Sequence, residues 1–154
     1  MRFIFYTGII VGYVRDAAYS RYLDQKHQPL VAPNLSLISA VSKGEIYSLA
    51  FQFGWGEPKR KKLSEILARL PAVEINRTRI IDLYAEIDAF SQRKHPTRTS
   101  TTSPRNMGKN DIWIAATAAA LGAQLVTVDR DFDHLHGIFF DVIYIDQKLT
   151  PADA

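Results

Sequence analysis

Short apolar runs alternate along this chain with longer segments in which apolar residues recur at helical spacing. The apolar runs predict strands at residues 3–5, 35–40, 72–75, 125–128 and 139–145. Helical spacing predicts helices at residues 9–14, 16–28, 41–56, 58–70, 78–94 and 110–122. Such alternation is typical of a parallel sheet that helices cover on both faces. The predicted fold class is therefore α/β, a three-layer α/β/α domain with a central, mainly parallel sheet of four or five strands.

One long polar segment interrupts this pattern, at residues 95–109, and its only apolar residue is Met107. Loops of that length inside compact domains are usually functional or mobile. Asn110 is predicted to cap the helix that follows, which Gly122 ends. Because there is no internal repeat and no linker, we expect residues 1–154 to form a single domain.

Composition excludes several classes of function. The chain has no Cys, which rules out disulfides, thiolate metal sites and a cysteine nucleophile. It has no signal pattern, and no apolar stretch approaches the length of a membrane span, so we expect a soluble cytoplasmic protein without membrane contact. The segment GWGEPKRKK lacks the spacing of a phosphate-binding Walker loop.

The formal net charge is +3, and the positive residues are clustered. One basic block covers residues 59–62, and a second surrounds the polar segment, from residue 93 to residue 109. Such blocks permit a polyanionic partner, and they are equally ordinary as solvated protein surface.

Three acidic residues lie at or near strand-to-helix junctions or helix starts: Glu45, Asp111 and Asp129. Taken singly, Glu45 and Asp111 could simply compensate a helix dipole. Taken together, the three could meet at one edge of the sheet, where two carboxylates about 5 Å apart repel by roughly 3 kcal/mol. A hard divalent cation such as Mg²⁺ or Mn²⁺ would compensate this repulsion.

The segments TGIIVGYVR, SAVSKGEIYSLAF and NDIWIAATAAALGAQLVTVDRDF resemble a PIN domain, and most of all the VapC-type ribonuclease toxins of toxin-antitoxin pairs. The resemblance covers nearly the whole chain. It implies an Mg²⁺- or Mn²⁺-dependent endoribonuclease that hydrolyses RNA phosphodiesters. It also implies a structured RNA such as tRNA as the substrate, a cognate VapB-like antitoxin as a partner, and a homodimer.

Carried over residue by residue, the resemblance implies that Glu45, Asp111 and Asp129 are the catalytic metal ligands and Asp131 an auxiliary acid. The residues with implied supporting roles are Thr7, Asn110 and Thr127. The candidates for RNA contacts are Arg15, Lys43, Arg105 and Lys109. A plain structural explanation stays open for several of these, such as a β-branched strand residue, a helix cap or a solvated charge.

The chain departs from the family pattern at Tyr6, because the family has an Asp that binds the metal at this position. A phenol, with a reference pKa near 10, is a poor Mg²⁺ ligand at neutral pH. Two hypotheses follow: a ribonuclease that Tyr6 impairs, or a catalytically inactive PIN-fold module that binds antitoxin, RNA or both. A third hypothesis is an unrelated α/β phosphoesterase that uses the same acids.

Overall fold

A computed structural model describes residues 1–154 and contains one five-stranded sheet in the order β3-β2-β1-β4-β5. The strands are β1 (Arg2–Phe5), β2 (Leu35–Ser39), β3 (Ala72–Val73), β4 (Gln124–Thr127) and β5 (Val142–Tyr144). All neighbouring strands pair in parallel, and in the centre Ile4 of β1 lies opposite Leu37 of β2 and Leu125 of β4. The predicted parallel sheet is confirmed, with five strands.

Six α-helices and two short 3₁₀-helices connect or follow these strands. The α-helices are α1 (Thr7–Val14), α2 (Ala18–His27), α3 (Ala40–Gln52), α4 (Glu57–Leu67), α5 (Thr78–Ser91) and α6 (Lys109–Leu121). The 3₁₀-helices are Arg130–Leu135 and Pro151–Asp153. None of the helices combines the length and the apolar character needed to cross a membrane.

Helices cover both faces of the sheet. Successive side chains of β1 point to opposite faces. Phe3 and Phe5 point into a core that residues of α1, α2, α3 and α4 complete. Ile4 points to the opposite face and packs in a second core with residues of α5 and α6. The predicted three-layer α/β/α arrangement is therefore confirmed.

The structure corrects some predicted element bounds. Residues 139–141 do not belong to the last strand, because the Gly137 N–H donates to the Phe140 carbonyl at 2.9 Å and closes a turn there. The third helix ends at Gln52 rather than at residue 56, just before Gly54 with its φ of 60°. The fourth helix covers Glu57–Leu67 instead of residues 58–70.

Candidate active site

The carboxyl edge of the sheet gathers the ends of three central strands and the helices that follow. Tyr6 directly follows β1, Glu45 lies in the second turn of α3 after β2, and Asp129 lies two residues beyond β4. Asp111 reaches the same edge from the first turn of α6. Since β1 lies between β2 and β4, the side chains that follow these strands converge.

Asp111 is the acid on which burial and the other carboxylates act together. Burial, and after it the neighbouring Glu45, Asp129 and Asp131 carboxylates, together raise the pKa of this carboxyl to about 6. Interaction with the Tyr6 hydroxyl lowers the pKa of Asp111 and offsets part of this rise. Four carboxylates thus share one edge of the sheet, and Asp111 lies where their mutual repulsion acts.

Tyr6 stands among these acids as a neutral group. Burial raises the pKa of its phenol well above the ordinary value, and Asp111, Asp129 and Glu45 act in the same direction. Its backbone N–H donates to the Val126 carbonyl at 2.9 Å, which ties the residue to the end of β4. Its ring packs edge to face against Phe132, with the ring centres 5.4 Å apart. The phenol is therefore a fixed, protonated side chain.

Both oxygens of Glu45 accept hydrogen bonds. The Thr7 hydroxyl donates to Oε1 at 2.8 Å, and the Asn110 side-chain amide donates to Oε2 at 3.4 Å. The prediction that Asn110 caps its helix is wrong: Gly108 holds the cap position, and Asn110 lies inside the first turn. Its amide faces Glu45 instead of the free N–H groups of its own helix.

Thr127 and Asp129 form a second local network at the end of β4. The buried Thr127 hydroxyl accepts a hydrogen bond from the Asp129 N–H at 2.9 Å. The Asp129 carboxylate in turn accepts from the Asp131 N–H at 3.0 Å and caps the 3₁₀-helix Arg130–Leu135. Asp129 is thus a structural cap as well as a member of the acidic edge.

The four basic candidates separate into two groups. Lys109 lines a cavity of about 560 Å³ with Tyr6, Glu45 and Asp111. Arg105 lines another cavity with Asp131 and lowers the pKa of that carboxyl, although burial and Asp129 raise it overall. Arg15 and Lys43 line neither of these cavities. Lys43 is exposed on α3, and the Arg15 guanidinium lies 4.8 Å from the centre of the Phe53 ring.

Sequence reasoning missed two structural supports of this edge. A Cβ on Gly8 would lie 2.6 Å from Val128 Cγ2, so only glycine lets α1 start this close to the end of β4. Behind the loop that carries Arg105, the buried Ser91 hydroxyl lies 2.8 Å from His134 Nε2. No sequence signal links Ser91 with His134. Gly8, directly after Thr7, is a usable sequence signal for a close approach of two elements.

A divalent cation would need several oxygen donors that converge at one point of this edge. Carboxylate oxygens suit Mg²⁺ and Mn²⁺ chemically. Yet no group of three or more Asp, Glu, His or Cys side chains lies close enough together to hold an ion. Tyr6 contributes a neutral phenol to the centre of the edge, and hydrogen bonds already engage both oxygens of Glu45. The residues as they stand do not fit a resident metal ion.

The protein has a parallel sheet between two helical layers, with acidic residues at its carboxyl edge. These features define a class of α/β proteins whose candidate site lies at the strand ends. Within that class, the model of the PIN domain matches residues 7–138. The chain therefore belongs to the PIN domain family. No curated protein sequence matches it significantly.

Several solved structures share the fold. VapBC2 from Rickettsia felis, bound to a DNA fragment from the promoter, superimposes with a TM-score of 0.75 at 22% identity, covering 95% of this chain and 100% of that chain. VapBC-1 from nontypeable Haemophilus influenzae superimposes with a TM-score of 0.68 at 18% identity, covering 94% of this chain and 98% of that chain. FitAcB from Neisseria gonorrhoeae superimposes with a TM-score of 0.67 at 17% identity, covering 92% of this chain and 96% of that chain. At these identities the likeness concerns the fold alone.

Proposed function

We propose that this chain is a VapC-type toxin, an endoribonuclease by descent, in which Tyr6 impairs the Mg²⁺- or Mn²⁺-dependent hydrolysis of RNA phosphodiesters. One observation carries the proposal: carboxylates from three separate parts of the chain meet around Tyr6 and, with burial, raise the pKa of Asp111 to about 6. A fold has little structural use for such repulsion, whereas a metal-dependent nuclease needs the acids in this place.

Tyr6 explains why this chain does not assemble a metal site. A carboxylate at position 6 would add a fourth anionic oxygen donor next to Glu45, Asp111 and Asp129. The Tyr6 phenol is neutral instead, and its ring takes up space at the edge of the sheet where a cation would have to bind. We propose Glu45, Asp111 and Asp129 as the inherited ligands, Asp131 as an auxiliary acid, and Thr7, Asn110 and Thr127 as their supports.

The proposed partners follow from the same family. Among the solved structures that share the fold, one is described as a toxin-antitoxin complex and another as a member of the VapBC family of toxin-antitoxin systems, and three contain bound DNA. They support a VapB-like antitoxin as the partner of this chain. We propose that the chain itself forms a homodimer, acts in the cytoplasm and has structured RNA such as tRNA as its substrate. Lys109 and Arg105, beside the acids, are the cations best positioned to meet an RNA backbone.

The neutral phenol also favours a second candidate function, a PIN-fold module that binds antitoxin or RNA without cleaving. Without a bound cation, Asp111 and its neighbours remain acceptors for an incoming guanidinium. The two candidates differ in the residual cleavage of the unaltered chain.

RNA cleavage tests the proposal directly. The unaltered chain, Tyr6→Asp and Tyr6→Asn are each incubated with total tRNA and Mg²⁺ or Mn²⁺. Asn matches Asp in size and removes the ring without adding charge, so it serves as the control. We expect strong cleavage by Tyr6→Asp alone; weak cleavage by the unaltered chain favours the impaired nuclease, and none favours the binding module. Absence of cleavage by all three would contradict the assignment as a ribonuclease.

A further inference from the structure

Three large side chains on α3 and just beyond it lie exposed next to a basic helix start. Phe51 is 73% exposed, Phe53 51% and Tyr47 46%. The first turns of α4 follow directly and carry exposed Lys59, Arg60 and Lys61. These six residues form the basic-aromatic surface. Exposed phenylalanines are costly in water, and an adjoining patch of them indicates an interaction site.

Cations hold the rings of this surface in place. The Arg60 guanidinium lies 5.3 Å from the centre of the Phe51 ring, and its Nε donates to the Trp55 carbonyl at 2.9 Å. The Arg15 guanidinium lies 4.8 Å from the centre of the Phe53 ring, which also packs 6.1 Å from the Trp55 ring. These contacts order the aromatic side chains before any ligand arrives.

The cations of the surface form no ion pair within the chain. Three ion pairs form in the protein, and none involves Arg15 or the cations of residues 59–62. Three consecutive exposed cations together with exposed rings complement a ligand that carries both repeated negative charge and flat aromatic faces. Single-stranded nucleic acid has both, since bases stack on aromatic side chains while phosphates meet Lys and Arg.

Helix α3 carries residues of both the basic-aromatic surface and the acidic edge. A cavity of about 690 Å³ at that edge is lined by Tyr6 and Glu45 and, further along α3, by Ser48, Leu49 and Gln52. Tyr47 and Phe51 are the neighbours of Ser48 and Gln52 in the same helix. Phe51 lies about 9 Å along the helix axis from Glu45, at 1.5 Å per residue. The distance along α3 between Phe51 and Glu45 is therefore short enough for one RNA strand to cover both.

We propose that the basic-aromatic surface binds single-stranded RNA, with bases stacked on Phe51 and Phe53 and phosphates held by Lys59 and Lys61. The inference rests on the proposed function, which makes RNA the ligand, and adds the surface that guides the strand towards the acids. A peptide partner is the competing occupant. RNA is favoured because the surface presents flat rings among cations that form no ion pair, rather than an enclosed apolar groove.

Binding is measured by the fluorescence anisotropy of a labelled single-stranded RNA of about 12 nucleotides, a length within the range that such surfaces cover. The buffer contains no metal, so binding is separated from cleavage. The variants are Phe51→Ala, Phe51→Trp and the double variant Lys59→Gln/Lys61→Gln. The controls are Ile81→Ala, at an exposed apolar residue of α5, and Lys26→Gln/Lys148→Gln, at exposed lysines elsewhere.

We expect Phe51→Ala to weaken binding about tenfold and Phe51→Trp to retain it, because a stacking platform is lost only in the first. The double Lys variant should lower the salt dependence of log K by about 0.7 for each lost phosphate contact. Both controls should bind as the unaltered chain does. All of these positions are exposed, and circular dichroism verifies that each variant is folded.

Photocrosslinking locates the strand independently. RNA that contains 5-iodouridine should crosslink to the tryptic peptide of residues 44–59, which carries Tyr47, Phe51, Phe53 and Trp55. The crosslink should disappear in Phe51→Ala if Phe51 is the stacking partner. A crosslink confined to other peptides would overturn the inference.

The outcomes separate this inference from the proposed function. RNA binding that is equal in all variants overturns the inference and leaves the ribonuclease assignment intact. If the unaltered chain binds no RNA, the inference also fails, and cleavage by Tyr6→Asp decides the assignment on its own. An acidic peptide that ends in an apolar helix serves as the probe for a protein partner. If Phe51→Ala no longer binds this peptide but binds RNA as before, the surface binds a protein partner and the inference is overturned.

Discussion

The Tyr6 ring packs edge to face against Phe132 at 5.4 Å and so joins the end of β1 to the 3₁₀-helix that begins at Arg130. Replacing Tyr6 by Asp removes this packing and adds a fifth carboxylate to the edge. We expect Tyr6→Asp to lower the free energy of unfolding by about 2 kcal/mol without metal, because packing is lost and repulsion increases.

Thermal unfolding in buffer with a chelator measures this loss, which corresponds to a drop of about 5 °C in a chain of this size. Tyr6→Phe is the matched control, since it retains the ring and adds no charge, and its melting temperature should stay close to that of the unaltered chain. A Tyr6→Asp variant as stable as Tyr6→Phe would show that the acids do not repel a carboxylate at position 6.

The elevated pKa of Asp111 predicts a pH dependence of stability. In the unfolded chain this carboxyl has its ordinary pKa of 3.8, and in the folded chain burial and neighbouring acids raise the pKa to about 6. The folded state therefore holds the proton more tightly, and stability is lost as pH rises from about 4 through 6. Because Asp111 is partly exposed, solvent screening limits the loss to about 1–2 kcal/mol.

Asp111→Asn removes this ionisation while keeping the shape of the side chain. Urea unfolding without metal, measured from pH 4 to pH 8, should show the variant more stable than the unaltered chain above pH 6 and equal to it near pH 4. Identical pH profiles for the two proteins would contradict the described environment of Asp111.

Two glycines give opposite predictions for the same substitution. Gly8→Ala should destabilise the chain by about 1–3 kcal/mol, because its Cβ would lie 2.6 Å from Val128 Cγ2. Gly44→Ala on α3 should stabilise it by about 0.5–1 kcal/mol, since nothing lies within 4 Å and alanine favours the helix. Denaturant unfolding of both variants checks the pair, and Val128→Ala should rescue Gly8→Ala. Equal effects of the two substitutions would rule out a close approach at Gly8.

Much of this fold follows from local sequence signals. The apolar runs before Tyr6 and before Asp129 are short and bounded, so each predicts a strand whose end carries a polar or aromatic site residue. Gly122 ends α6 in the left-handed conformation, as its residue type predicts. Residues 139–141 were misassigned to a strand because Phe139 and Phe140 read as an apolar run, whereas Gly137 turns the chain there.

The contacts of the site depend on tertiary structure and were less predictable. Asn110 is suited to capping by its chemistry, yet it donates to Glu45, which lies 65 residues away in the sequence. Ser91 and His134 are 43 residues apart, and neither flanking sequence indicates a buried pair. Such pairings depend on how α5, α6 and the 3₁₀-helix pack, and pattern and propensity along one chain do not specify that packing.

The central claim is that Tyr6 keeps this acidic edge from forming a metal site. Isothermal titration calorimetry of metal-free protein with Mn²⁺ tests it most directly, using the unaltered chain, Tyr6→Asp and Tyr6→Asn. We predict sub-millimolar Mn²⁺ binding by Tyr6→Asp and no measurable binding by the other two. Equal binding by the unaltered chain, or absence of binding by Tyr6→Asp, would contradict the claim.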